Sequence, residues 1–285
     1  MESDAAARLA TLGHPQRLSV FRLLVRRYPD ALPAGEIATI LRLKASTLSS
    51  YLAALVQAGL VTQTRQGTSL RYAPDMVAVR RLFDYLLNDC CRGRPDLCPT
   101  TFFHQPQGGG ATMQTPTPRP HRTLFICTGN SARSIFAETL LQALGGSRFE
   151  VHSAGTRPRS ELNPFAVQVL RDKGHDITAL RAKHVAEFQG PDAPDFDFVF
   201  TVCDRAANED CPPWPGQPVS GHWGVPDPVQ AEGTDAERAL AFQEAYGALR
   251  NRVQAFVALP LDALDALSLQ RAVDQIGQMK DPVLQ

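Results

Sequence analysis

Apolar residues recur every three or four positions through the first ninety residues of the chain. Leu18, Phe21, Leu24 and Val25 form one stripe, Ile37, Ile40 and Leu41 a second after Pro33, and Leu48, Leu52 and Leu55 a third. A period of 3.6 predicts three helices that turn these residues toward a core. The segments "LVTQTR" and "SLRYA" then flank Gln66-Gly67-Thr68, which is a hairpin signal, and a last helix is predicted over 75–88, running into Cys90. From Thr123 onward the pattern changes. Short apolar runs, "TLFICT", "FEVHSAG" and "FDFVFTVC", alternate with helical segments, as a parallel sheet with crossover helices requires. Residues 99–120 separate the two patterns with five prolines, three consecutive glycines and no apolar period. That stretch reads as a flexible linker. The expectation is two domains: a mainly α domain over 1–98 and an α/β domain with a parallel sheet over 121–285.

Composition adds one contrast. The 285 residues carry no net charge, but residues 1–98 hold 13 basic against 8 acidic side chains, a net +5, while residues 121–285 hold 15 against 21, a net −6. The first half suits a polyanion and the second repels one. No apolar run reaches the roughly 18 residues of a membrane span, and the acidic start "MESDAAARLA" is unlike a signal peptide, so a cytoplasmic protein with no membrane partner is expected. Six cysteines, including the neighbours Cys90 and Cys91, point to thiol chemistry or soft-metal binding rather than a disulfide framework.

Three helices followed by a hairpin outline a winged helix-turn-helix. The third helix offers Ser46, Thr47, Ser49, Ser50 and Tyr51 as outward hydrogen-bonding groups for base edges, and the hairpin offers Arg65 and Arg71 to phosphates. A small helical protein-interaction domain is the alternative. The stretches "LGHPQRLSVFRLL", "GEIATILRLKASTLSSYLAALVQAGLV" and "TRQGTSLRYAP" resemble the ArsR/SmtB family of metal-responsive repressors over 5–90. The resemblance implies a homodimer that binds a palindromic operator and releases it when a soft metal or metalloid binds. Many arsenic-sensing members carry a Cys-x-Cys pair before the recognition helix, and here "ALPAGEIA" has no cysteine. The segment "NDCCRGRPDLC" instead supplies Cys90, Cys91 and Cys98. Three thiolates match the trigonal-pyramidal preference of arsenite, and thiolates select soft centres. Zinc is the competing guest and would want a fourth ligand, for which His104 is nearest.

In "CTGNSARS" a thiol, Cys127, ends an apolar strand, and a short turn follows before a helix begins near Ser134. The successive amides of Thr128, Gly129, Asn130, Ser131 and Ala132, with the positive end of the helix, would form a nest for a tetrahedral oxyanion. The same field is expected to favour the Cys127 thiolate. Arg133 would grip two anion oxygens, and Ser134 would hydrogen-bond the sulfur. Low-molecular-weight protein tyrosine phosphatases and the arsenate reductases built on the same fold share this C-x5-R-S loop. A phosphatase needs no second thiol. A reductase needs a resolving thiol and a route to an outside reductant, and "VFTVCDRAANEDCPPWPG" supplies Cys203 and Cys211. Asp227, before Pro228, is a candidate general acid.

Taken together, "FICTGNSARSIFAE", "SAGTRPRSELNPFAVQVLRDKGHDI", "DFVFTVCDRAANEDCPPWPG" and "HWGVPDP" resemble the thioredoxin-coupled arsenate reductases over 122–270, with "ALPLDALDALSLQRAVDQIG" as their last helix. The resemblance implies arsenate as substrate, thioredoxin or a similar thiol as reductant and no organic cofactor. It assigns Cys127, Cys203 and Cys211 as the catalytic trio, Arg133 as the oxyanion clamp and Asp227 as the acid. Some relatives bind potassium behind the loop, and Asn130, Glu138 and Ser153 match part of that site. Two alternatives stay open: a tyrosine phosphatase, and a catalytically idle oxyanion sensor. His152, His175, His184, His222, Trp214 and Trp223 are expected to be structural, and Asp195 and Asp197 solvated.

Overall fold

A computed structural model describes residues 2–90, 119–189, 193–209, 214 and 218–279, with side chains omitted for 88–90. The chain divides into two compact units, Met1–Thr117 and Pro118–Gln285. Cys91, Cys98, Cys211 and residues 99–118 of the expected linker lie outside the described residues.

The first unit runs α1 (Glu2–Leu12), α2 (Pro15–Arg27), β1 (Leu32–Pro33), α3 (Ala34–Leu41), α4 (Ala45–Gln57), β2 (Val61–Gln66), β3 (Ser69–Pro74) and α5 (Met76–Asp84), which passes into a π-helical turn, Tyr85–Cys90. The strands pair antiparallel in the order β1-β3-β2. This is the winged helix-turn-helix expected, with Asp75 capping α5 by accepting from the Ala78 N–H at 2.9 Å. Two details differ. The helix α1, whose apolar residues are mostly alanines and set up no stripe, is held by Arg8, which donates to the carbonyls of Ala58 and Ala78. In α2 the buried row is Val20, Leu23, Leu24 and Arg27, and Leu18 is left 39% exposed. Six apolar residues lie between positions 18 and 25, so two stripes were available. Packing against α4 and the wing selected the one that also buries Arg27 against Glu36, at 2.9 Å.

The second unit runs β4 (His121–Cys127), α6 (Arg133–Gly145), β5 (Phe149–Gly155), α7 (Pro164–Asp172), β6 (Phe198–Thr201), α8 (Asp204–Asn208), β7 (Val219–His222), α9 (Asp235–Val257) and α10 (Ala266–Gly277), with short 3-10 turns between some of them. All described pairings are parallel, in the order β5-β4-β6-β7. The central strand β4 is buried on both faces, hence its unbroken run Leu124, Phe125, Ile126 and Cys127. Phe200 and Trp223 stack at 4.0 Å beside Phe125 and Phe256 to fill the core. Each such ring contributes about 2 kcal/mol or more through the water it sheds.

The edge strand β7 was not legible in the sequence, because "VSGH" is short and lacks alternation. It forms against β6 and under α10, where Gly221 leaves no room for a Cβ, which would stand 2.6 Å from Val273. The terminal segment is no single helix: a 3-10 turn, Leu261–Ala263, precedes α10. Asp197, expected to be solvated, is engaged instead. Its carboxylate takes the Arg122 N–H at 2.8 Å and both guanidinium nitrogens of Arg119, fastening residue 119 to this unit.

Candidate functional site

Cys127 is the last residue of the central strand, so the loop after it opens at the carboxyl ends of the parallel strands, where sheets of this type bind ligands. The neighbouring segment 156–163 shapes that loop. The carbonyls of Cys127, Thr128, Gly129 and Ser131 accept from the N–H groups of Thr156, Arg157, Arg159 and Asn163 at 2.9–3.1 Å, and the Ala132 carbonyl accepts from Phe136 inside α6. A trans peptide points its N–H opposite its carbonyl. With these carbonyls drawn outward, the N–H groups of Thr128, Gly129, Asn130, Ala132 and Arg133 turn inward, and that of Asn130 donates to Cys127 Sγ at 3.1 Å. The turn requires φ = +42° at Asn130, a conformation that asparagine tolerates better than most residues. Close packing also fixes Gly155, where a Cβ would lie 2.7 Å from the Thr128 carbonyl.

Behind the loop a buried polar network sets the direction of each hydrogen bond. The Lys183 N–H only donates, so the Asn130 atom 2.6 Å from it is Oδ1, and Nδ2 donates to Ser134 Oγ and Ser153 Oγ, each at 2.8 Å. Ser134 Oγ, which accepts from Asn130, is also in hydrogen-bond contact with Cys127 Sγ at 2.9 Å. Ser153 in turn donates to Glu138 at 2.6 Å, and the Lys183 ammonium spans both Glu138 oxygens at 3.0 and 3.1 Å. Asn130, Glu138 and Ser153, the expected potassium set, thus do meet. Lys183, which sequence reasoning passed over, closes the group.

Arg133, the first residue of α6, is buried, with its guanidinium held by the Val225 carbonyl at 3.0 Å and by Asp227 at 2.9 Å. This ion pair bears on the nucleophile. Burial pushes the Cys127 thiol up, and the neighbouring Cys203 adds to that, while Ser134 and Arg133 pull the other way. The thiol is thus shifted away from the thiolate that the loop field was expected to favour. Desolvation is the largest of these influences. Cys203 is buried beside the loop, 3.5 Å from the Thr128 hydroxyl. It is the N-cap of α8, two residues past the end of β6, and its sulfur accepts from the Ala206 N–H at 3.4 Å. Exposed Arg157 and Arg159 lie at the rim, and Arg157 pairs with Glu209 at 3.3 Å.

In the first unit, Ser46, Ser49 and Ser50 lie on the exposed side of α4 and Thr47 is half-buried. The Ser49 and Ser50 hydroxyls donate back to the Ala45 and Thr47 carbonyls. Tyr51 is turned toward α2 instead of outward, its hydroxyl on Gln16 and its ring 5.1 Å from that of His14. Arg71 is likewise redirected: it donates to the Ala31 carbonyl at 2.9 Å and ties β3 to β1, whereas Arg65 near the wing tip is exposed. Two exposed cations missed by the sequence reading, Arg42 and Lys44, sit in the turn that opens α4, with Arg42 at φ = +53°. Spacing gave no signal for them, because they lie between stripes.

Residues 122–267 match the low molecular weight phosphotyrosine protein phosphatase family, and the chain belongs to it. Residues 12–64 match a helix-turn-helix domain, so the protein is a fusion of the two. Among the curated relatives it is similar to are the arsenate reductases of Bacillus licheniformis, 37% identical over 46% of this chain and 91% of that protein, and of Bacillus subtilis, 36% identical over the same shares. The crystal structure of the arsenate reductase from Archaeoglobus fulgidus covers 48% of this chain and 99% of its own, at 24% identity and a TM-score of 0.40. Helix α10 lies almost wholly beyond the family match. Among the described residues no helix is long and apolar enough to cross a membrane.

Proposed function

We propose that the chain is a bifunctional arsenic-resistance protein, an arsenite-responsive repressor joined to an arsenate reductase. The observation that carries the second half is Cys203: a buried thiol placed beside the nucleophile's loop, which hydrolysis of a phosphate ester does not call for. The inward amides and Arg133 bind arsenate. The Cys127 thiolate attacks arsenic, one oxygen leaves as water with a proton delivered through Asp227, and an S–As(V) bond forms. Cys203 then attacks the Cys127 sulfur. A disulfide forms between them as the S–As bond breaks, and its electron pair stays on arsenic, which departs as arsenite. Cys211 attacks Cys203, returning the Cys127 thiolate, and the Cys203–Cys211 disulfide is reduced by thioredoxin or a similar dithiol.

In the first half, α4 reads the operator while Arg42, Lys44 and Arg65 contact phosphates, in a homodimer formed through this domain. Cys90, Cys91 and Cys98 bind the arsenite that the other half makes.

An assay coupling arsenate to thioredoxin, its reductase and NADPH tests the enzymatic reading. Wild type should consume NADPH only with arsenate present. Cys127→Ser should give none, and Cys211→Ser one arsenite per chain before stalling. Phosphatase turnover on a phosphotyrosine peptide without arsenate-dependent NADPH oxidation would favour the phosphatase alternative.

A further inference from the structure

We propose that the Lys183 ammonium is a built-in cation of the oxyanion loop, standing where a monovalent metal ion would otherwise be needed among Glu138, Ser153 and Asn130, and that anion binding by this chain is therefore independent of potassium. The proposal rests on the reading of the Cys127 loop as an oxyanion site.

Glu138 is a carboxylate on the inner face of α6 whose side chain is only 12% exposed. An ionised group so buried needs a partner charge and hydrogen bonds to remain ionised. Lys183 provides the charge from a side chain only 10% exposed, reaching both oxygens, and Ser153 provides a third donor. The donor set that would attract a bare cation is thereby saturated. A metal ion at Glu138 would have to sit against the ammonium, with like charges in contact. Lys183 has a second attachment through its backbone, where its N–H donates to Asn130 Oδ1 and its carbonyl accepts from the Gly155 N–H at 2.8 Å. One residue therefore sets Glu138 by its charge and the Asn130 amide by its main chain. Asn130 in turn orients Ser134 toward Cys127. Lys183 is a positioning residue: it touches neither anion nor sulfur, and its effect reaches them through Glu138, Ser153 and Asn130.

Titration of the full-length reduced protein with inorganic phosphate, in potassium chloride or choline chloride of equal ionic strength, tests this without requiring arsenate turnover. Wild type should bind phosphate equally in both salts. Lys183→Ala exposes the Glu138 site, and its affinity should fall about tenfold in choline, as loss of an orienting outer-shell partner generally does, then recover in potassium. Lys183→Arg keeps the charge and should bind equally in both salts. Wild-type binding that strengthens in potassium overturns the proposal even if Lys183→Ala fails to fold, and so does wild-type affinity of Lys183→Ala in choline. Absence of phosphate binding by wild type in both salts would instead sink the oxyanion reading on which the proposal stands.

Discussion

Cys127 combines two demands that conflict at the level of a single side chain. It must be shielded from water to be aimed by the loop, and shielding raises the thiol's pKa above its ordinary value, with Cys203 adding to the effect. A thiol with a raised pKa ionises later as pH rises, and below that pKa the thiolate is the minority form. Its fraction grows about tenfold per pH unit until the pKa is reached. Alkylation of reduced protein by iodoacetamide, followed by mass at Cys127, should therefore accelerate steadily between pH 6 and 8. A rate already flat across that window would mean that Ser134 and Arg133 outweigh desolvation. In Ser134→Ala the sulfur loses its hydrogen-bond partner at 2.9 Å, which holds the pKa down, and the same profile should move to higher pH.

At the scale of elements, the loop after β4 is held from outside. Its shape depends on N–H groups of 156–163 donating to the outward carbonyls, and the two segments approach closely only because residue 155 has no side chain. In Gly155→Ala the added Cβ would meet backbone, which cannot swing away as a flexible side chain does. The fold should survive with a loss of about 1–3 kcal/mol in urea unfolding, typical of overpacking. Arsenate kcat/KM should fall by about a hundredfold or more, since small displacements of reacting groups are that costly. Near-wild-type activity would show that the loop does not need this bracing. The wing gives a paired prediction. Arg65 is exposed, so Arg65→Ala should lower the salt dependence of operator binding by about one counterion per subunit. Arg71 is bound to the Ala31 carbonyl, so Arg71→Ala should leave that slope unchanged and cost about 1 kcal/mol of stability. Equal flattening by both variants would return Arg71 to the DNA-contacting set.

At the scale of the whole molecule the two halves have opposite net charge and unrelated folds, and arsenic chemistry is what would join them. Arsenite made at Cys127 would be the ligand of the thiols that follow α5. Replacing Cys90, Cys91 and Cys98 together by serine should leave arsenate reduction and operator affinity within about twofold of wild type, because the proposed relay does not use those thiols and phosphate contacts dominate affinity. Release of the operator by arsenite should be lost, as read by fluorescence anisotropy of a labelled operator. Release at the wild-type arsenite concentration would place the sensor elsewhere.

What the sequence determined by itself was whatever depends on local period and spacing. The stripes along α3 and α4, the hairpin around Gly67, the apolar run of β4 and the C-x5-R-S spacing are each set by residues within a few positions of one another, and local sterics and solvation suffice to read them. Tertiary structure decided what depends on a distant partner. It chose which of two stripes α2 buries, paired "VSGH" as a strand under α10, tied Arg71 to the Ala31 carbonyl and Tyr51 to Gln16, and brought Lys183 to Glu138 across 45 positions. It also reversed the expected direction for the Cys127 thiol. The amides that favour the thiolate are adjacent in the chain, whereas the residues that bury the sulfur and the Asp227 that neutralises Arg133 come from strands and turns far along it.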